Sequence, residues 1–145
     1  MSNETVVTLQ GWVGGDVVLR QAGEVSVTSF RVACTPRRLS RRTGEWGDAP
    51  TQWYTVNAWR ALAEHCADSL RRGDPVLVTG RVNMRPYVTK AGAEAIDVEV
   101  DAYCVGHDLT RGTTCFTRMS RAEPSPDTSA ETSAETTGEQ REPAA

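Results

Sequence analysis

The stretch WYTVNAWRALAEHCADSLRRGDPVLVTGRV, from Trp53 to Val82, decides the fold because its hydrophobic period changes twice. Residues 53–59 alternate with a period of two, as in a β-strand with one buried face. The following residues predict an amphipathic helix, since their apolar side chains recur four apart, at Leu62, Cys66 and Leu70. Residues 75–82 return to a strand pattern. The block therefore predicts a strand, a helix and a strand in succession.

Three residues predict where this helix ends. Arg71 and Arg72 fall in the expected last turn, where the helix dipole favours cations. Gly73 follows them and suits a C-terminal cap.

Strand patterns dominate the chain on either side of this block. Thr5–Val13 is rich in β-branched residues, Val25–Cys34 alternates, and Ala95–Val105 is the last such run. The order is therefore three strands, one helix and two strands. Five short strands with a helix after the third are typical of an OB-fold, a five-stranded Greek-key barrel. The predicted fold class is all-β.

The strand at residues 53–59 carries two tryptophans, whose rings either point outward or are buried. If its other face, Tyr54, Val56 and Ala58, points into the core, then Trp53 and Trp59 point outward. Exposed tryptophans mark a binding surface, and nucleobases suit such a surface because every base presents a π face. Burial of both rings under the long polar link or in a subunit interface stays open as the alternative.

Arginine and aromatic residues are interleaved around this strand. A basic and aromatic surface of this kind is what binding to a single nucleic-acid strand requires. Arginine guanidinium groups pair with phosphates and also stack on bases. The candidate stacking residues are Trp53, Trp59 and Tyr87, with Trp46 as a weaker candidate. The candidate phosphate-binding residues are Arg20, Arg37, Arg38, Arg41, Arg42, Arg60, Arg81 and Arg85.

No pattern in the chain indicates catalysis. The sequence holds no glycine-rich phosphate loop and no nucleophile set. Asp97, Glu99 and Asp101 alternate along the last strand and would share a face; such a row binds a metal or, more often, is only solvated. We therefore predict a protein that is not an enzyme and uses no cofactor or metal.

The four cysteines show no paired metal-ligand spacing, at Cys34, Cys66, Cys104 and Cys115. We expect reduced thiols, with Cys115 the most exposed because it lies in a polar stretch; a disulfide there stays open. The start of the chain lacks a signal-peptide pattern, and no apolar run is long enough to span a membrane. These features predict a cytoplasmic location.

Charge divides the chain into a body and a tail. Residues 123–145 hold six acids and one base, a net charge of −5, whereas residues 1–122 hold 15 bases and 13 acids, a net charge of +2. The end of the chain is rich in Pro, Ser, Thr and Glu and lacks large apolar residues, which predicts disorder. We predict a folded domain over residues 3–112 and an acidic, disordered tail over 113–145.

The sequence resembles the bacterial single-stranded DNA-binding proteins, and among them the actinobacterial ones. The resemblance rests on VVTLQGWVGGDVVLR, SFRVACTPR, RRTGEWGD, the block quoted above, and IDVEVDAYCVGHDL, and it covers roughly residues 4–110. It implies an OB-fold, a homotetramer and an outer surface that binds single-stranded DNA (ssDNA) in association with the nucleoid. Trp53, Trp59, Tyr87 and Arg20 match positions at which the family carries aromatic or basic residues.

Two departures from the family pattern change what the resemblance implies. Pro36–Arg38 stands where well-known members have a further tryptophan, and Trp46 is a partial substitute. The acidic tip closed by Pro-Phe, which docks other enzymes in the family, has no counterpart in the final residues QREPAA. This pattern predicts a specialised paralogue that binds ssDNA independently of sequence and protects it during replication, recombination or repair. The alternative is a replication or primosome accessory whose aromatic face binds a protein.

Overall fold

The computed structural model describes residues 3–120. It contains eight strands and one helix within that range. The strands are β1 (Val6–Val13), β2 (Val18–Ala22), β3 (Val25–Cys34), β4 (Arg37–Leu39), β5 (Trp46–Asp48), β6 (Gln52–Trp59), β7 (Pro75–Val88) and β8 (Glu94–His107). The helix α1 spans Arg60–Ser69. The part of the predicted acidic tail from residue 121 onward, including the end compared with the family tip, lies outside the described residues.

Six strands form a sheet in the order β1-β7-β8-β6-β3-β2. β1 also pairs with β3 at Trp12 and Val13, so the sheet closes on itself into a barrel. All neighbours run antiparallel except β6 and β8, which are parallel. β4 and β5 form a separate hairpin between β3 and β6. This architecture confirms the predicted all-β OB-fold.

The five predicted strands are present, and the structure adds three short ones. β2, β4 and β5 were missed because every residue in them is exposed, so they show no alternation between a buried and a polar face. β7 and β8 are each 14 residues long. β7 continues six residues past its predicted end at Val82, whereas β8 exceeds its predicted range by one residue at its start and two at its end. The extension of β7 pairs with residues 94–99 of β8 as a two-stranded ribbon, and hydrophobic periodicity does not report such a pairing.

The helix ends earlier than predicted. α1 stops at Ser69, so the expectation that Arg71 and Arg72 lie in its last turn is wrong. Arg71 nevertheless supplies hydrogen bonds to the free carbonyl groups at the end of the helix. Its Nη1 donates to the carbonyl oxygens of Ala67, Asp68 and Leu70. Gly73 adopts a positive φ of 92° in the turn that follows, rather than capping the helix directly.

Valines fill the barrel, and α1 closes one end of it. Five of the buried valines come from β3, β6, β7 and β8: Val32, Val56, Val76, Val78 and Val100. α1 contributes Ala63 and Cys66 to this core, and Leu70 follows it. Burial raises the pKa of the Cys66 thiol to about 11, which keeps it protonated at neutral pH.

The four cysteines form no disulfide within the described residues. Cys66 is buried and Cys34 is half-buried, and Cys115 is exposed as expected. Cys104 is also exposed. Among residues 3–120, no helix has both the length and the apolar character needed to cross a membrane.

At Gly80 the backbones of β7 and β8 approach each other closely. The register of β7 against β8 shifts between Thr79 and Gly80, a β-bulge that leaves Tyr103 as the extra residue on β8. A Cβ atom at residue 80 would lie 2.2 Å from the carbonyl oxygen of Asp101, which belongs to the neighbouring backbone. Only glycine therefore fits at this position of the pairing.

Gly80→Ala is expected to lower the free energy of unfolding by about 2 kcal/mol, because the added methyl group forces the two strands apart. Urea unfolding at matched protein concentration measures this loss. Gly106→Ala is the control, since a Cβ atom on this β8 glycine meets no atom within 4 Å. Equal stability of the two variants would contradict the close approach at Gly80.

Candidate nucleic-acid interface

The structure confirms which side chains of β6 point into the core and which point outward. On β6, Val56 and Ala58 are fully buried. Tyr54, on the same face, is half-buried. Trp53 and Trp59 point outward and are 46% and 45% exposed. The interior of a small barrel accepts one face of each strand, so the filled core leaves no place for the two indole rings.

Strand register extends this outer face across five strands. One row runs from Asn83 through Glu99 and Thr55 to Arg31, on β7, β8, β6 and β3. The last tryptophan of β6 begins a second row, from Trp59 through Val27 to Arg20 on β2. Trp53 and Trp59, three of the candidate arginines and the row of acids on β8 therefore share one continuous surface, which we call the outer face; the three arginines are Arg20, Arg81 and Arg85.

Trp53 is held in place by two contacts. The guanidinium carbon of Arg31 lies 5.4 Å from the ring centroid, a cation–π distance. The ring also covers Gly14, where a Cβ atom would lie only 2.5 Å from Cζ3 of Trp53. One face of the indole is thus supported by the protein while the side chain stays half-exposed.

Trp59 lines a groove on the outer face. The groove has a volume of about 520 Å³ and brings Trp59 together with two of the predicted arginines, Arg20 and Arg85. Arg60 follows with a φ of 58°, a left-handed conformation that costs a non-glycine residue about 1–2 kcal/mol. This conformation turns the chain from β6 into α1 without a connecting loop.

The hairpin β4–β5 carries the other predicted tryptophan and four arginines. Trp46 pairs with Leu39 across the hairpin and is exposed. The arginines of this arm are Arg37 and Arg38 on β4 and Arg41 and Arg42 in its loop. Tyr87 is also exposed, near the end of β7.

Ion pairs divide the candidate arginines into two groups. Arg81 donates to Glu4 at 3.1 Å and to Asp101 at 2.9 Å, and both partners raise the pKa of its guanidinium. Arg85 lies 3.8 Å from Glu99, and Arg37 lies 3.8 Å from Asp48. The remaining candidates form no ion pair within residues 3–120: Arg20, Arg38, Arg41, Arg42 and Arg60.

The acids of β8 are half-buried rather than freely solvated. Thr55 Oγ1 donates to Asp97, and Asp101 accepts from Arg81 and, at 3.5 Å, from Asn57 Nδ2. Residues 3–120 contain no group of histidine, cysteine or acidic residues arranged to hold a metal ion. The row acts on the outer face as paired negative charge.

Sequence reasoning missed two residues of the outer face. Arg31 carries no carboxylate partner among the described residues and stacks on Trp53. Trp12 pairs in register with Ala33, which pairs with Trp53, so the two tryptophans lie two strands apart on one row. The alternation of β3 already pointed Arg31 outward, but only the pairing of β3 with β6 shows that it meets a tryptophan.

The chain matches the model of the Single-strand binding protein family over residues 4–107. A protein named Single-stranded DNA-binding protein from Bifidobacterium longum is 38% identical over 124 residues, which cover 85% of this chain and 57% of that protein. This chain thus matches little more than half the length of that relative. Single-stranded DNA-binding protein 2 from Streptomyces avermitilis is 42% identical over 118 residues, covering 81% of this chain and 74% of that protein.

Solved structures show the same likeness. The small single-stranded DNA-binding protein from Streptomyces coelicolor superposes with a TM-score of 0.69 at 37% identity, over 77% of this chain and all of that one. The second single-stranded DNA-binding protein, SSBb, of Mycobacterium smegmatis superposes with a TM-score of 0.56 at 31% identity, over 81% of this chain and 99% of that one.

Gly14→Ala is expected to push the Trp53 ring off its support and away from Arg31. Because the half-exposed ring moves into solvent, the cost in unfolding free energy is only about 0.5–1 kcal/mol. The near-ultraviolet circular dichroism and the tryptophan emission maximum should change more clearly. Gly15→Ala is the matched control, since a Cβ atom there meets nothing within 4 Å. Identical spectra for the two variants would refute the contact.

Proposed function

This chain belongs to the single-strand binding protein family, and on that premise we propose that it binds and protects ssDNA, without sequence preference along most of the strand and without catalysis. The relatives described above are named as single-stranded DNA-binding proteins. The proposal covers ssDNA exposed during replication, recombination or repair, in the cytoplasm and at the nucleoid.

One observation carries the proposal: two half-exposed tryptophans stand on the outer face of a single strand, beside unpaired arginines. Six residues of strand separate Trp53 from Trp59 by about 20 Å, which leaves room for several nucleotides between the two rings. Base stacking on each ring contributes about 1–3 kcal/mol and accepts any base. Tyr87 and Trp46 extend the stacking surface to β7 and to the hairpin.

The phosphate contacts are assigned by charge. Arg20, Arg31 and Arg60 carry no carboxylate partner in the described part of the chain, so their guanidinium groups can pair with phosphates directly. The hairpin β4–β5 adds a basic arm through Arg38, Arg41 and Arg42. Arg81 holds Glu4 and Asp101, and we assign it to organising the outer face rather than to a phosphate.

We further propose that the chain assembles as a homotetramer. Within residues 3–120, positions 6–11 of β1 pair only with β7, and β1 meets β3 only at Trp12 and Val13. The other edge of β1 therefore presents backbone groups that a strand from a second copy satisfies. The number of four copies is argued from the family. The exposed β1 edge argues for a contact between two of these copies.

Tryptophan fluorescence is expected to fall when an oligo-dT is added at low salt, and to recover as salt rises. Trp53→Ala and Trp59→Ala should each remove part of the quenching and weaken binding by about 1–3 kcal/mol, the value of one stacked base. Fluorescence titration of the full chain measures both effects. Absence of quenching at low salt would overturn the proposal and favour a replication accessory whose aromatic face binds a protein.

Arg31→Ala is expected to weaken ssDNA binding and to reduce the slope of log affinity against log salt by about 0.7, the value of one phosphate contact to a single strand. Titration over a series of salt concentrations gives the slope. Arg72→Ala is the matched control, because it removes the same charge from the turn after α1, where Arg72 lies 4.0 Å from Asp16. If both variants change the slope equally, the effect is one of net charge and Arg31 holds no phosphate.

A further inference from the structure

The groove beside Trp59 differs in chemistry from the rest of the outer face. The Trp59 indole lines it together with the polar side chains of Asn57, Asn83, Glu99 and Asp101, which we call the polar floor. Its volume of about 520 Å³ is large enough for a nucleobase. Stacking on tryptophan alone accepts every base, whereas a polar floor meets the edge of the base and distinguishes one hydrogen-bonding pattern from another.

Glu99 is the group on this floor whose hydrogen-bonding capacity is unused. Its side chain is only 15% exposed, and its nearest cation is Arg85, with Nη1 at 3.8 Å from Oε1, beyond hydrogen-bond distance. No hydrogen bond to this carboxylate occurs among residues 3–120. The two flanking acids differ, since Asp97 accepts from Thr55 and Asp101 accepts from Arg81 at 2.9 Å.

An ionised carboxylate only accepts hydrogen bonds, and it repels phosphate. Arg20 and Arg85 line the same groove and attract phosphate, whereas Glu99 favours a base that places a donor against the carboxylate. Asn83, directly opposite Glu99 in the β7–β8 register, offers an amide donor next to that acceptor. Cytosine matches this pair, because its exocyclic amino group donates and its adjacent ring nitrogen accepts. A thymine stacked in the same position turns a carbonyl oxygen toward Glu99, and it can donate from its ring N3 only by shifting within the stack.

We infer that the groove beside Trp59 is a base-selective subsite in which the Glu99 carboxylate accepts a hydrogen bond from an exocyclic amino group, so that it prefers cytosine over thymine. This inference rests on the proposed function and deepens it. Stacking on Trp59 is similar for the two pyrimidines, so discrimination between them comes from the floor. The other contacts of the strand remain indifferent to sequence.

The test compares the affinities of labelled oligo-dC and oligo-dT of equal length, measured by fluorescence anisotropy on the full chain at constant salt and slightly alkaline pH. Chain flexibility and stacking affect the ratio of the two affinities equally in the native protein and in a variant. Glu99→Gln keeps the size of the side chain but adds an amide donor for the thymine carbonyl. It is expected to shift the ratio toward oligo-dT by about fivefold.

Asp97→Asn is the matched control. It removes one negative charge from the same face of the same strand, at a residue that does not line the groove. It is expected to change the two affinities in parallel, leaving their ratio as in the native protein. A ratio that is unchanged in Glu99→Gln, or that shifts equally in both variants, would show that the acids act only as negative charge and would overturn the subsite.

The two proposals fail in distinguishable ways. If the native protein binds both oligomers and the ratio does not respond to Glu99→Gln, only the subsite is wrong. If the native protein binds neither oligomer, ssDNA binding itself is wrong and the subsite is overturned with it.

Discussion

Burial of Val56 and Ala58 inside the barrel constrains the direction of every other side chain on the central strand. A β-strand presents alternate residues to opposite faces, so Val56 and Ala58 in the core leave Trp53 and Trp59 outside it. β6 lies between β3 and β8, and its register carries the same division to both neighbours. Packing of the hydrophobic core thus sets which side chains form the aromatic surface. A shift of one residue in this register would bury the indole rings and expose the core.

The exposed rings are supported by contacts from distant parts of the chain. Gly14, which follows β1, contacts the Trp53 ring, and the Arg31 guanidinium of β3 lies within cation–π distance of it. Trp59, which lines the groove, is followed directly by the left-handed Arg60, the first residue of α1. Backbone strain of this kind concentrates at functional sites, where surrounding packing holds it. Rings held in this way lose little conformational freedom when a base stacks on them.

The outer face has a region rich in acids and a region with arginines that lack carboxylate partners among the described residues, and the net charge of the chain does not show this division. The acids of β8 run between the arginines of β7 and the aromatic and basic residues of β6, β3 and β2. Asp101 neutralises Arg81 and Glu99 lies near Arg85, whereas Arg20 and Arg31 keep their charges free within the described residues. A phosphate strand is therefore favoured along β6, β3 and β2. The acids disfavour phosphate along β8, where the edge of a base is the better partner.

The sequence by itself determined the barrel, the helix after the third long strand, and the outward direction of Trp53 and Trp59. These features follow from local periodicity, which neighbouring residues on one strand or one helix create together. This periodicity does not predict a strand whose two faces are both exposed, as in β2 and the hairpin β4–β5. Only the tertiary structure decided which arginines are free, because Arg81 meets Glu4 from 77 residues away and Arg31 meets Trp53 across a strand pair. Such contacts depend on register between distant strands, and register is set by closure of the whole barrel.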